Sequence, residues 1–250
     1  MNILVTNDDG ITSAGIYALA TALRSLGTVT VVAPDRQQSA VGHALTVSEP
    51  LRVTRFWRDN QFFGYAVSGT PADCIKLAVA RLLDRKPDIV VSGINHGYNT
   101  GINVLYSGTV SAATEAILLG IPAIAISLGS FDEEVDCSVA ARTAAYLVEQ
   151  YHNLELPPST LLNVNVPALP EDQVKGIRIT RQGQGYWNDT YHERLDPMGR
   201  PYYWLAGTYN HLDDDPNSDD VAVDRGYIAI TPIHYQLTDE KAIELLKRRL

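Results

Sequence analysis

The chain has 250 residues with 45% hydrophobic side chains, enough for one large domain or a domain with an extension. Its formal net charge of −9 argues against a general polyanion-binding surface, and Lys247-Arg248-Arg249 reads as the cationic end of a helix. No apolar run reaches membrane-span length, no basic-then-apolar leader opens the chain, and Cys74 and Cys137 show no metal or redox spacing, so a cytoplasmic protein with two buried thiols is expected.

Ile3-Leu4-Val5 is a short apolar run that suits a strand covered on both faces of a parallel sheet. Asn7-Asp8-Asp9-Gly10 stops it abruptly. Adjacent carboxylates at a strand end repel unless a cation or water separates them, so the stretch is either a metal site or a polar Asp-Gly turn. Residues 14–26 set Ile16, Leu19, Ala20, Leu23 and Leu26 on one helical face, with Gly27 as the stop. Residues 28–33 form a second strand that completes a βαβ unit, and the polar loop 35–43, which holds Ser39 and His43, leaves its end. Residues 45–69 read as a β excursion turning at Asp59-Asn60. Thr70, Pro71 and Asp73 suit N-cap, N1 and N3 of a helix running to about Asp84, which gives Asp73 a structural role.

Pro87–Ser92 is a further buried strand, followed by a Gly/Asn-rich loop, 93–101, that contains Asn95 and His96. Ser107-Gly108-Thr109 then opens a helix over 110–119 closed by Gly120. Such a turn offers free N–H groups and a positive dipole end to an anion; simple capping by Ser107 or Thr109 is the alternative. A strand at 122–128, a helix at 135–151 and strands at 161–166 and 177–181 follow. Residues 182–209, rich in Tyr and Trp with a turn at Asp196-Pro-Met-Gly199, read as a projecting β-hairpin. Its aromatics suit a partner surface, a base-stacking wall or ordinary packing. Residues 210–220, with Asp213-Asp214-Asp215 and Asp219-Asp220, lack calcium-loop spacing and read as a solvated acidic loop. A last strand over 226–233 and a helix over 238–250, capped by Thr238 with Lys241 at N3, close the chain. The whole of 1–250 is expected to be one α/β domain: a Rossmann-like, three-layer parallel sheet with the 182–209 hairpin and a 226–250 strand-helix extension.

Asp8, Asp9, Ser39 and Asn95 all follow strand ends, where a parallel sheet binds ligands at its switch point. Carboxylate, hydroxyl and amide oxygens are hard ligands suited to magnesium or manganese, and a hard cation beside the Ser107-Gly108-Thr109 turn makes a phosphate site. The missing Gly-x-Gly-x-x-Gly after the first strand argues against a dinucleotide dehydrogenase; a non-catalytic nucleotide or metal regulator is the remaining alternative to an enzyme.

Five ordered motifs carry a specific likeness: Ile-Leu-Val-Thr-Asn-Asp-Asp-Gly at 3–10, Asp-Arg-Gln-Gln-Ser at 35–39, Gly-Thr-Pro-Ala-Asp-Cys at 69–74, Ser-Gly-Ile-Asn-His-Gly-Tyr-Asn at 92–99 and Tyr-Ser-Gly-Thr-Val at 106–110. The chain resembles the SurE (survival protein E) family. The resemblance implies a metal-dependent phosphatase of nucleoside 5′-monophosphates, a range that in the family extends to 3′-monophosphates and short polyphosphate, and a homodimer or homotetramer with exchanged C-terminal segments. It places one Mg or Mn ion per subunit on Asp8, Asp9, Ser39 and Asn95. Asp8, Asp9 and Asn95 are the expected catalytic residues and Ser107, Gly108 and Thr109 the expected phosphate-binding ones. No membrane and no nucleic-acid polymer, beyond degradation products, is an expected partner. Asp9 or a metal-bound hydroxide is the candidate base, and His43 and His96 are either proton donors to the leaving group or bystanders. Gly108→Val is expected to cripple turnover while metal binding survives.

Overall fold

The computed structural model describes residues 1–212 and 214–250; Asp213, in the acidic stretch, lies outside the described residues. In chain order the elements are β1 (Asn2–Thr6), α1 (Ala14–Leu23), β2 (Thr28–Pro34), β3 (Val53–Arg58), β4 (Gln61–Val67), α2 (Pro71–Leu77), β5 (Ile89–His96), α3 (Gly108–Leu118), β6 (Ala123–Leu128), α4 (Ser138–Gln150), β7 (Thr160–Val166), β8 (Ile177–Ile179), β9 (Tyr186–Leu195), β10 (Pro201–Asn210), α5 (Asp219–Asp224), β11 (Ile228–His234) and α6 (Glu240–Arg249).

Nine strands form one sheet in the order β3-β4-β2-β1-β5-β6-β7-β11-β8. From β4 to β7 every neighbouring pair is parallel; β3 and β11 pair antiparallel with β4 and β7. The layers follow from alternation along the strands. Ile3 and Val5 of β1 face α1 and α4, where Ile16, Leu19, Leu23, Ala140, Ala144 and Val148 pack. Leu4 points the other way, onto Cys74 and Ile75 of α2 and the Ala-rich face of α3. Helices therefore cover both faces, as expected of a parallel sheet. Cys74 and Cys137 are buried free thiols.

The chain runs from β1 outward through β2 to β4 on one side, then returns to lay β5 against the other side of β1. The topological switch point thus lies between the carboxyl ends of β1 and β5.

Several local expectations change. α1 ends at Leu23, one turn before Gly27. Residues 45–52 form no strand, and the excursion narrows to the β3-β4 hairpin, which turns at Asp59 and Asn60 with φ of 51° and 61°. α2 stops at Leu77 and passes into a π-helical turn, Ala78–Leu82. Its N-terminus is as expected: Thr70 and Asp73 form a capping box, and Asp73 also accepts from Thr46. Gly93–His96, expected in a loop, extends β5. α6 is capped by Asp239, whose side chain accepts from the Ala242 amide, because helix starts at Glu240 rather than beside Thr238. Asp219 and Asp220 are buried at the start of α5 and not in a solvated loop. Asp219 accepts from the amides of Gly101 and Gly183 and so ties the hairpin root to the segment after β5. The hairpin itself, β9 with β10, forms a separate two-stranded sheet.

Candidate active site

Asp8 and Asp9 follow β1 after the single residue Asn7, as the backbone turns at Gly10 toward α1. Asn7 holds that turn: its buried amide donates to the Gly10 carbonyl and the Ser13 hydroxyl, and Ser13 caps α1. The Gln38 amide donates to the Asp8 carbonyl at 2.7 Å, so the loop after β2 is stitched to the loop after β1. One residue further along that loop, Ser39 is exposed, with its hydroxyl accepting from Gln37.

Asn95 lies next to last in β5, and its register with β6 slips between Ser92 and Asn95. Such a bulge re-aims a side chain. The Asn95 amide nitrogen donates to the carbonyls of His96 and Gly97, which fixes the rotamer and leaves Oδ1 without a donor among the described residues. The loop beyond is held by a buried amide network, in which the Asn99 carbonyl accepts from Asn163 and Asn165 and its amide N–H donates to Asn165.

Asp8 is only 3% exposed, not the solvated strand end expected for an acidic turn. Thr109, at the start of α3, donates its N–H and its hydroxyl to the two Asp8 oxygens, at 3.1 and 2.6 Å. Burial, and next the charge of Asp9, push the Asp8 carboxyl up to about 6 against those two hydrogen bonds. Asp9 accepts the His96 amide at 3.2 Å and lies 3.6 Å from His96 Nδ1. Its carboxyl is raised by burial, opposed by the His96 amide.

Ser107 is the N-cap of α3, accepting from the Val110 amide; its own carbonyl accepts the Ser111 hydroxyl. The Gly108 N–H, at the first helical position, has no acceptor within its helix. Of the three residues expected on phosphate, Thr109 thus has its donors on Asp8, while Ser107 and Gly108 keep donors to offer.

The donor set tests well for a hard cation. Two crowded buried carboxylates and an orphaned amide oxygen converge at the switch point. Among the described residues, three of the five buried side-chain atoms lacking a partner, Thr6 Oγ1, Asn7 Oδ1 and His96 Nε2, lie at the carboxyl ends of β1 and β5, and a fourth, Ser92 Oγ, lies midway along β5. No three His, Cys, Asp or Glu side chains gather as a metal group among the described residues.

His43 is elsewhere: its Nε2 lies 2.9 Å from Glu115 of α3, which also binds Lys76 of α2 at 2.9 Å. This bridge, buried only at Glu115, anchors the Ser39 loop to two helices. Sequence reasoning did not find Glu115, Asn163 or Asn165; their signal is a polar residue at an otherwise apolar position.

The family model described as Survival protein SurE matches residues 3–189. The chain belongs to the SurE family. A relative named 5′-nucleotidase SurE, from Syntrophobacter fumaroxidans, is 50% identical over 246 residues, 98% of this chain and 98% of that protein. Another of that name, from Geobacter sulfurreducens, is 50% identical over 247 residues, covering 99% and 93%. The crystal structure of the SurE protein from Aquifex aeolicus superposes with a TM-score of 0.84 at 42% identity, over 100% of this chain and 99% of that one. The SurE fold thus extends over the hairpin and C-terminal helix, which the family model's match only begins to reach.

Proposed function

We propose that this SurE chain is a divalent-metal-dependent 5′-nucleotidase that hydrolyses nucleoside 5′-monophosphates to nucleoside and phosphate. The observation that carries the reading is the meeting of Asp8, Asp9 and Asn95 with the N-terminus of α3 at the sheet's switch point. Asp8, Asp9, Asn95 and Ser39 would hold one Mg or Mn ion per subunit. When bound, such an ion neutralises phosphate charge and lowers the pKa of water.

The chain's own residues account for the rest. The Gly108 N–H, the Ser107 hydroxyl and the α3 dipole hold the phosphate, and such donors count most where charge develops in the transition state. Thr109 serves the phosphate side indirectly, by orienting Asp8. Asp9 takes the proton of the attacking water, and His96, which touches Asp9, is placed to share it with the departing ribose oxygen. One P–O bond forms from water, the bond to ribose breaks, and the proton ends on the alcohol.

No helix of the described residues is long and apolar enough to cross a membrane. A homodimer or homotetramer in the cytoplasm completes the reading, with 3′-monophosphates and short polyphosphate as further substrates. A metal-by-substrate panel on chelator-treated protein tests it. Turnover is expected to return with Mn or Mg in the wild type. Asp8→Asn is expected to fold yet lose orders of magnitude in rate, because carboxylate repulsion is relieved while the cation site is broken. Binding of monophosphates without turnover under every metal would make the protein a regulator instead.

A further inference from the structure

We propose that Asn163 and Asn165 of β7 are positioning residues for the proposed metal ion: through Asn99 they clamp the segment whose carbonyls orient the Asn95 side chain. The inference rests on the nucleotidase reading and deepens it. Leu162, Val164 and Val166 of β7 pack in the core on the α1 and α4 side of the sheet. Asn163 and Asn165 alternate with them, so both side chains face the α3 side, where Leu161 packs, and both are fully buried. Two primary amides inside a sheet covered on both faces cost stability unless each polar atom is paired, and Leu or Val would serve packing better. One atom is left over: Asn163 Oδ1 is buried and has no partner among the described residues. A polar pair kept at that cost marks a role beyond packing.

Their hydrogen bonds converge on one residue. Asn165 Oδ1 accepts the Asn99 N–H at 2.8 Å and Asn165 Nδ2 donates to the Asn99 carbonyl at 3.2 Å, so one side chain holds both backbone groups of Asn99. Asn163 Nδ2 donates to the same carbonyl at 2.8 Å and fills its second lone pair. The Asn99 side chain donates to Ser127 Oγ of β6, the register partner of Asn165, at 2.8 Å. A second clamp lies two residues back, where the Gly97 N–H donates to the Leu128 carbonyl at 2.8 Å. The stretch from the end of β5 to Asn99 is thus pinned to β6 and β7. On it lie the His96 and Gly97 carbonyls, which take the Asn95 amide nitrogen at 3.1 and 2.8 Å. Those two bonds set the direction of Asn95 Oδ1. Release of Asn99 frees the Gly97 carbonyl, and Asn95 loses the nearer of the two acceptors that fix its rotamer. Asn163 and Asn165 therefore act on the ion through Asn95, without touching it.

The test measures manganese binding by calorimetry, and Tm, on chelator-treated full-length protein without substrate. Groups that orient a metal ligand typically set metal affinity by about 10- to 100-fold. Asn163→Leu removes one donor to Asn99 together with the orphaned oxygen. Its Tm is expected to hold or rise while the manganese Kd weakens toward the low end of that range. Asn165→Leu removes both bonds to the Asn99 backbone, and is expected to lower Tm and weaken Kd toward the high end. Val164→Ala, on the opposite face of the same strand, is expected to lower Tm through lost packing and to keep the wild-type Kd. A Kd that follows Tm across the three variants overturns the proposal. So does wild-type manganese affinity in Asn163→Leu, the variant that decides should Asn165→Leu fail to fold. Turnover of adenosine 5′-monophosphate separates the two readings. A wild type that binds manganese without turnover sinks the nucleotidase reading and leaves the positioning role to be decided by Kd; a wild type that binds no manganese overturns both.

Discussion

Thr109 donates both its backbone N–H and its hydroxyl to Asp8, one to each carboxylate oxygen. A helix N-terminus that could bind an external anion is thereby partly satisfied by an internal one. The arrangement fixes the orientation of Asp8 and holds it as an anion where burial disfavours charge. Thr109→Val keeps the shape and removes only the hydroxyl. Loss of a group that orients a metal ligand typically weakens metal affinity about 10- to 100-fold. That shift is expected both in the manganese dependence of activity and in the thermal stabilisation by manganese alone. An unchanged midpoint in both titrations would reduce Thr109 to a capping residue.

Glu115 gives a pH prediction. Hydrogen bonds from His43, then Lys76, hold its carboxyl below the ordinary value of 4.5 despite burial. A carboxyl depressed in the folded state adds stability that is present above its unfolded pKa and is lost as pH falls through the folded one. The bridge should therefore be at full strength at neutral pH and fade below about 4.5. Glu115→Gln should lower Tm at pH 7 and flatten the decline of Tm in that acid window. A variant whose Tm runs parallel to wild type from pH 7 to pH 3 would count against it.

How far this could be read beforehand depends on the length scale of each interaction. The layers, the helices on both faces and the switch point follow from apolar periodicity and from loops after strands, which are local signals. Asp8, Asp9 and Asn95 stood out because polar residues end apolar runs. Thr109's attachment to Asp8, 101 positions away, leaves no local trace. Gly93–His96 looked like a loop because Gly and Asn mark turns, yet pairing with β6 carries the strand on. Asp219 and Asp220 looked solvated because charge is usually exposed; donors from distant loops make the burial of Asp219 tenable.

The hairpin bears on assembly. An isolated two-stranded sheet is marginal in water, yet β9 and β10 each span ten residues and leave Tyr191, Tyr203 and Trp204 more than half exposed. α6 buries no residue and exposes Leu245 and Leu246. Both elements are expected to be covered by another copy of the chain. Light scattering should give a multiple of 27.4 kDa at micromolar concentration, and Tyr203→Lys with Trp204→Lys should lower it. A wild-type monomer would refute this.

Gly108 joins the two halves of the site. It is the first residue of α3, its N–H has no acceptor in the helix, and it packs against Asp8. A Cβ added there would lie 2.7 Å from Asp8 Cβ and 2.9 Å from Oδ2, closer than real contacts allow. Neighbours leave little room for adjustment, because Thr109 pins both Asp8 oxygens and the Gln38 amide pins the Asp8 carbonyl. From the sequence, Gly108→Val should spare metal binding, since the ligands come from other loops. The contact with Asp8 changes that outcome: even Gly108→Ala has to move a ligand. Gly108→Ala should therefore lower kcat by about 10²–10³, the cost of disturbing one preorganised anion donor, and weaken manganese binding together with it. Inorganic phosphate should compete with substrate in the wild type and inhibit the variant poorly. Manganese affinity and kcat measured on one preparation decide the matter. Loss of turnover with metal affinity intact would mean that Asp8 yields to the methyl group and that only the phosphate side is damaged.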